Sequence, residues 1–252
     1  MGTRVFGEPV ERREDGRLTT GRGRYLDDLG AGALAAAFVR SPHAHARILD
    51  IDVSGALDVD GLVAVYTWED LPGRVGEPLP LLIPHPALTH GRTGYPLARD
   101  VVRHVGEPVV MVVARDRYLA EDAAERIRVD YEPLPAVVGI EAATRAEHLV
   151  HDDVPGNVGA VLVQENGDAA AAIEAAPHVL EFSLSIERSA SMPLEGRGVY
   201  ARWDADDGSL RVYSSTQAST SVRAAIAARL GMPNGKVEGI APDVGGGFGV
   251  KN

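Results

Sequence analysis

The chain has no cysteine, no long apolar run and too few basic residues to balance its acids. The first absence removes disulfides, thiolate zinc sites, a cysteine nucleophile and cysteine-ligated iron–sulfur clusters from these 252 residues. Any redox chemistry must therefore pass its electrons to another polypeptide. No stretch approaches the ~20 apolar residues of a membrane-spanning helix, and the N-terminus, MGTRVFGEPVERRED, lacks a signal-peptide core. Cytoplasmic residence is expected. With 25 Lys and Arg against 36 Asp and Glu, the formal charge of −11 argues against a nucleic-acid groove or an anionic membrane surface, both of which need a basic face. The run Gly21-Arg22-Gly23-Arg24 is too short to reverse that and reads as a solvated loop.

What is present is enough apolar residue, 45% of the chain, to bury a core in one large or two modest domains. The most informative string is Asp243-Val244-Gly245-Gly246-Gly247-Phe248-Gly249-Val250-Lys251. Glycines at four of five successive positions free the backbone to bring bare N–H groups against a ligand, and Lys251 is placed to neutralise an anion. A phosphate or oxyanion is the expected guest; the alternative is a turn that merely lets two backbones pack closely. Walker A is excluded because Val250, not glycine, precedes Lys251 and Asn252 follows it. The dinucleotide fingerprint fails too, since the third glycine would fall at Val250.

Along the chain, residues 1–16 form an N-terminal extension and two α+β blocks follow, 17–138 and 158–252, joined by a linker at 139–157 that carries loop signals. In the first block the pattern predicts strands at Ala33–Arg40, Ala46–Val53, Gly61–Tyr66, Pro108–Ala114 and Ile127–Tyr131. Ala46–Val53 alternates Ile48, Asp50 and Asp52 against Leu49, Ile51 and Val53. Thr67 to Asp70 reads as a capped turn, and Leu71 to Pro96 as irregular. A helix from Asp116 to Arg126 has Asp116 as its N-cap and Tyr118, Leu119, Ala123 and Ile127 on its apolar side. The second block predicts strands at Val158–Gln164 and His178–Arg188, a helix at Asp168–Ala176, and a hairpin of Val199–Trp203 with Ser209–Tyr213 turning at Asp206-Asp207-Gly208. A helix from Ser219 to Leu230, stopped by Gly231 and Pro233, and a strand at Lys236–Ile240 then lead into the glycine loop.

These strings carry a resemblance. Leu18 to Asp28, Phe38 to Ile48, Val105 to Val109, Ala120 to Ala124, Val129 to Pro135, Ser215-Thr216-Gln217 and Asp243 to Gly249 resemble, in collinear order over nearly the whole chain, the N-terminal part of the molybdenum-binding large subunit of the xanthine dehydrogenase, aldehyde oxidase and carbon monoxide dehydrogenase family. The resemblance implies an α/β hammerhead domain over 17–138 and, over 158–252, the first portion of a molybdopterin-binding α+β domain. It implies a molybdenum ion held by molybdopterin, in some members the cytosine dinucleotide form, that hydroxylates an aldehyde, an N-heterocycle or carbon monoxide with oxygen from water. Iron–sulfur and FAD partner subunits would take the electrons, in a hetero-oligomer completed by the remaining large-subunit polypeptide.

The cofactor-binding residues it implies are Gly246, Gly247, Phe248, Gly249 and Gln217. The general-base glutamate is expected outside these residues, so the resemblance implies no catalytic residue and no protein metal ligand here. The segment 187–198 resembles the family's pre-loop but departs at Glu187, where many relatives have glutamine or asparagine, and at Gly196, where they have proline. A glutamine that some relatives present to the metal ligands aligns with Ser189. His43 and His45 share one side of an extended segment but lack a third ligand. Three readings stand: a large-subunit component completed by a partner chain, an inert fragment, and a noncatalytic module docking to iron–sulfur or flavin subunits.

Overall fold

Short apolar runs bounded by Gly, Pro and Ser become strands, and their pairing sorts the chain into two units. In chain order the elements are α1 (Asp15–Leu18), β1 (Ala35–Arg40), β2 (Ala46–Asp52), β3 (Leu62–Tyr66), β4 (Val101–Val102), β5 (Pro108–Ala114), α2 (Arg117–Glu125) and β6 (Arg128–Pro133). There follow α3 (Ile140–Arg145), α4 (Ala169–Ala175), β7 (Val199–Asp204), β8 (Ser209–Ser214), α5 (Ser219–Leu230) and β9 (Val237–Ile240). The computed structural model describes residues 6–81, 84–186 and 189–252. One unit is Ala33–Glu187; the other combines Met1–Gly32 with Arg188–Asn252. The sequence pattern instead divides the chain at 139–157.

In the unit Ala33–Glu187, two antiparallel sheets, ordered β1-β5-β3 and β4-β2-β6, enclose the core. β5 lies between two neighbours and buries both faces, with Val109, Val110, Val112 and Ala114 fully inaccessible, which is why its sequence is a continuous apolar run rather than an alternation. α2 covers β1 and β5 with Ala120 and Ala123. Tyr118, expected on that apolar side, points outward at 78% exposure, because Leu119, Ala123 and Ile127 already occupy the i, i+4 stripe. The Asp116 carboxylate caps α2 by accepting the Leu119 N–H at 3.0 Å. Asp116→Ala is expected to cost about 1 kcal/mol, read by thermal unfolding; an unchanged melting temperature would show that the cap carries nothing.

β2 departs from the even alternation. A bulge sets Leu49 out of register between Ile48, opposite Tyr131, and Asp50, opposite Asp130. Ile48 and Ile51 then share the core side while Leu49 is 61% exposed. Thr67 N–H and Oγ1 both donate to Asp70 Oδ2, at 2.7 and 2.8 Å, as the capped turn requires. The 139–157 segment contains α3 and is tied by Asn157, which accepts from Val150 N–H and donates to the Ala143 and His148 carbonyls, so it is more ordered than its loop signals suggest.

Two expected strands do not form. In Val158–Gln164 only an isolated bridge between Leu88 and Ala160 is present. Residues 178–186 of the His178–Arg188 run make no ladder, and Glu187 and Arg188 lie outside the described residues. The period-2 pattern is there, but no described strand lies alongside to accept the hydrogen bonds that would define a sheet.

In the other unit β7 and β8 form the expected antiparallel hairpin, and α5 carries the chain over to β9, parallel to β8. Gly231 ends α5 in the left-handed region at φ 65°, and the Gly231 and Met232 N–H groups return to the last-turn carbonyls. This strand–helix–strand unit delivers β9 to the glycine loop.

Candidate cofactor-binding site

Three separate stretches of sequence meet around the glycine loop, all within the unit of Met1–Gly32 and Arg188–Asn252. Just past β9, the Asp243 carboxylate accepts from both terminal guanidinium nitrogens of Arg17 and from the Arg24 N–H, the latter at 2.8 Å, and its own N–H donates to the Arg24 carbonyl at 3.1 Å. Arg24, the last residue of the Gly21–Arg24 run, is therefore a backbone partner of the loop's first residue. The Arg17 hydrogen bonds, then that from Arg24, draw the Asp243 carboxyl from 3.8 down to about 2. A depressed carboxyl stabilises the fold fully above its unfolded value and loses that contribution as pH falls through its folded value. Wild-type stability should thus drop between about pH 3.8 and pH 2 by more than that of Asp243→Asn, measured by denaturant titration across that window.

The second anchor is Glu195. Its Oε2 accepts from Gly245 N–H at 2.8 Å and from Lys251 Nζ at 2.9 Å, its Oε1 accepts from Leu26 N–H at 3.3 Å, and its N–H donates to the Gly245 carbonyl at 3.2 Å. Burial pushes this carboxyl up, but Lys251 and the two backbone donors outweigh it and hold it below the ordinary range. Lys251 is consequently not available to neutralise a guest anion: its side chain is 1% exposed and already faces a carboxylate. Sequence reasoning missed this pairing because the partners are 56 residues apart.

The third stretch is Ser215-Thr216-Gln217. Thr216 Oγ1 and Gln217 N–H both donate to the Lys251 carbonyl, at 2.9 and 2.8 Å, and Gln217 Oε1 accepts the Gly249 N–H at 2.9 Å. Of the expected site residues, Gly246, Gly247, Phe248, Gly249 and Gln217 are thus brought together, with Gln217 and Gly249 bonded to each other. A Cβ on Gly247 would lie 2.4 Å from Gln217 Cδ, so any larger residue there must displace the Gln217 side chain. Gly246, Phe248 and Gly249 have φ of 101°, 50° and 80°; a positive φ at a phenylalanine is uncommon, and here it turns the ring outward at 69% exposure.

Among the described residues, the N–H groups of Gly246, Gly247 and Phe248 have no hydrogen-bond partner. Three successive donors on a loop held at both ends fit oxygen acceptors such as the oxo and phosphate groups of a molybdopterin. Beside the loop, a cavity of ≈ 630 Å³ is lined by Ser189, Met192, Pro193, Arg197 and Val250 among others, a size in the range of cofactor and substrate pockets. Among the described residues no group of three His, Cys, Asp or Glu side chains could hold a metal ion. His45 Nδ1 is bonded to the Pro135 carbonyl, and the His43 ring packs edge-on against Tyr131. No described helix is long and apolar enough to cross a membrane.

Residues 20–135 match the family model described as "Aldehyde oxidase and xanthine dehydrogenase, a/b hammerhead domain", and residues 150–252 match "Molybdopterin cofactor-binding domain". The nicotine 6-hydroxylase large subunit of Paenarthrobacter nicotinovorans is 38% identical over 98% of this chain and 30% of its own length. The carbon monoxide dehydrogenase large chain of Afipia carboxidovorans is 36% identical over 96% of this chain and 31% of its own. Among solved structures, quinoline 2-oxidoreductase from Pseudomonas putida 86 superposes with a TM-score of 0.87 at 39% identity, over 97% of this chain and 31% of that one. The chain spans about a third of the length of the relatives it matches. Its α+β architecture, its glycine loop and both family matches agree: the chain belongs to the xanthine dehydrogenase, aldehyde oxidase and carbon monoxide dehydrogenase family, where it corresponds to the N-terminal part of the molybdenum-binding large subunit.

Proposed function

We propose that the chain is the N-terminal component of a cytoplasmic molybdenum hydroxylase, an oxidoreductase that inserts water-derived oxygen into an aldehyde, an N-heterocycle or carbon monoxide. The observation that carries the proposal is the row of unpaired N–H groups at Gly246, Gly247 and Phe248 on a loop fixed by Asp243 and Glu195. When bound, molybdopterin supplies the metal that takes up two electrons per turnover. The chain's own part is to hold one side of it. Gly246, Gly247 and Phe248 present donors to the cofactor's oxygen atoms, and Gln217 keeps Gly249 in place. The general base is supplied by polypeptide outside residues 1–252, and electrons leave to iron–sulfur and FAD subunits, since no cysteine is present to bind a cluster.

The test is to purify the protein from its native source, measure molybdenum by elemental analysis and identify what co-purifies. Stoichiometric molybdenum together with further large-subunit polypeptide supports the reading, and the mass of the released pterin separates the plain from the cytosine dinucleotide form. A metal-free, solitary chain overturns it in favour of an inert fragment; a metal-free complex with iron–sulfur or flavin subunits overturns it in favour of a docking module.

A further inference from the structure

We infer that the cavity beside Glu107, within the unit Ala33–Glu187, is a binding site for a protonated phosphoryl group, carried by inorganic phosphate or by a small phosphate monoester. It measures ≈ 420 Å³, and Arg92, Tyr95, Arg103, His104, Glu107 and His151 are among the residues that line it. Glu107 is 5% exposed, yet only half of its carboxylate is used. Its Oε2 accepts the Arg103 N–H at 2.6 Å and stands 3.5 Å from His104 Nδ1. Its Oε1 has no hydrogen-bond partner among the described residues and faces Gly94, on the cavity wall, 3.9 Å from where a Cβ there would sit. A buried carboxylate oxygen facing a cavity calls for a donor from whatever fills it.

The groups around it are donors. The Arg103 guanidinium is pinned by backbone: Nε donates to the Val150 carbonyl at 3.0 Å and Nη1 to the Val101 carbonyl at 3.2 Å, which leaves Nη2 for a ligand. Arg92 is held by Asp153 through Nε and Nη2, which leaves Nη1. The half-buried His151 ring and the Tyr95 hydroxyl make no hydrogen bond among the described residues. Burial, then the charges of Arg103 and Arg92, draw the His151 imidazole below its ordinary value, while Glu107 and Asp152 oppose them, so both guanidiniums face that ring. These contacts are made within residues 92–153 and do not wait on polypeptide outside the chain.

Fixed donors gathered around one unused carboxylate oxygen select a ligand that both accepts and donates. The oxygens of a singly protonated phosphoryl group accept from the guanidiniums, the imidazole and the hydroxyl, and its remaining P–O–H donates to Glu107 Oε1. Sulfate has the same shape but no proton near neutral pH, so it would set an oxyanion against the carboxylate. A phosphoryl group fills only part of a cavity this size, which leaves room for the alcohol of a monoester.

The experiment titrates the protein calorimetrically, purified as for the molybdenum measurement and freed of phosphate, with inorganic phosphate, glycerol phosphate and sulfate at about pH 6, near the second ionisation of a monoester. The expected result is a site that binds both phosphates at least about tenfold more tightly than sulfate. Monoester binding should weaken about tenfold per pH unit above about pH 6, as the proton that Glu107 accepts is lost. Glu107→Gln should abolish the preference over sulfate: its amide oxygen keeps the Arg103 N–H, and its amide nitrogen, standing in for Oε1, donates to either anion. His151→Leu removes a ring that bonds nothing in the fold, and should weaken both phosphates about tenfold without changing the preference. Tighter binding of glycerol phosphate assigns the site to a monoester, tighter binding of inorganic phosphate to the free ion. No binding, equal affinity for sulfate, or affinities that neither variant moves would overturn the site; if Glu107→Gln does not fold, His151→Leu and the pH slope still decide. None of these results bears on the family reading, which the molybdenum measurement decides separately.

Discussion

Glu195→Ala is expected to destabilise the unit that carries the glycine loop by about 3 kcal/mol, because it leaves a buried ammonium without its counter-charge. The Lys251 side chain is 1% exposed and finds Glu195 Oε2 at 2.9 Å. The same carboxylate also satisfies the Gly245 and Leu26 N–H groups, so alanine removes one ion pair and two charge-assisted hydrogen bonds in a single step. Glu195→Gln retains the shape and an acceptor oxygen but not the charge, and its cost should fall between wild type and alanine. Urea unfolding followed through Trp203, in the same unit, reads all three. Since the Glu195 carboxyl sits below its ordinary 4.5, its contribution is present above that value and fades as pH falls through the lowered one. A loss below about 1 kcal/mol for alanine would mean that Lys251 finds solvent instead, and that the loop is not anchored there.

The second large effect is expected at Gly247. A side chain there meets Gln217 at 2.4 Å from Cδ and 2.6 Å from Oε1, and Gln217 can yield only by giving up the Gly249 N–H. Gly247→Ala should therefore displace the donor row, and in the assembled enzyme turnover is expected to fall by about a hundredfold, the usual consequence of a misplacement near 1 Å. A double-mutant cycle separates crowding from lost bonding: adding Gln217→Ala removes the obstacle and should recover part of the stability, but not the turnover, because Gly249 still lacks its acceptor. Full turnover in Gly247→Ala would sink the claim that this backbone presents donors to the cofactor.

Much of the scaffold was legible because it rests on local chemistry. Asp116 caps α2 through a donor three residues on, Gly231 stops α5 by adopting a positive φ, and the run Pro108–Ala114 is β-branched enough to be a strand wherever it is buried. The loop residues Gly246, Gly247, Phe248 and Gly249 stand out for the same reason, since a glycine cluster declares a need for unusual φ and close approach. Illegible were features set by a partner distant in sequence. The bulge at Leu49 depends on register against β6, and nothing in the alternation of Ala46–Val53 announces it. The strands expected at 158–164 and 178–188, the second described as far as residue 186, show the opposite limit: the pattern is correct for a strand, but a strand exists only where a neighbour completes its hydrogen bonds.

The sequence by itself determined the class of this protein: the absence of cysteine, the acidic balance, the helix stops and the glycine–phenylalanine loop are each properties of residues or short strings. Only the tertiary structure decided how that loop is held and which groups are left for a ligand. Arg17 reaches Asp243 across 226 residues and Glu195 reaches Lys251 across 56, turning a lysine that looked free into a buried strut. The physical reason is that a charge's role depends on what stands within a few ångströms of it. Spacing along the chain records that only for neighbours one helical turn or one strand pair apart.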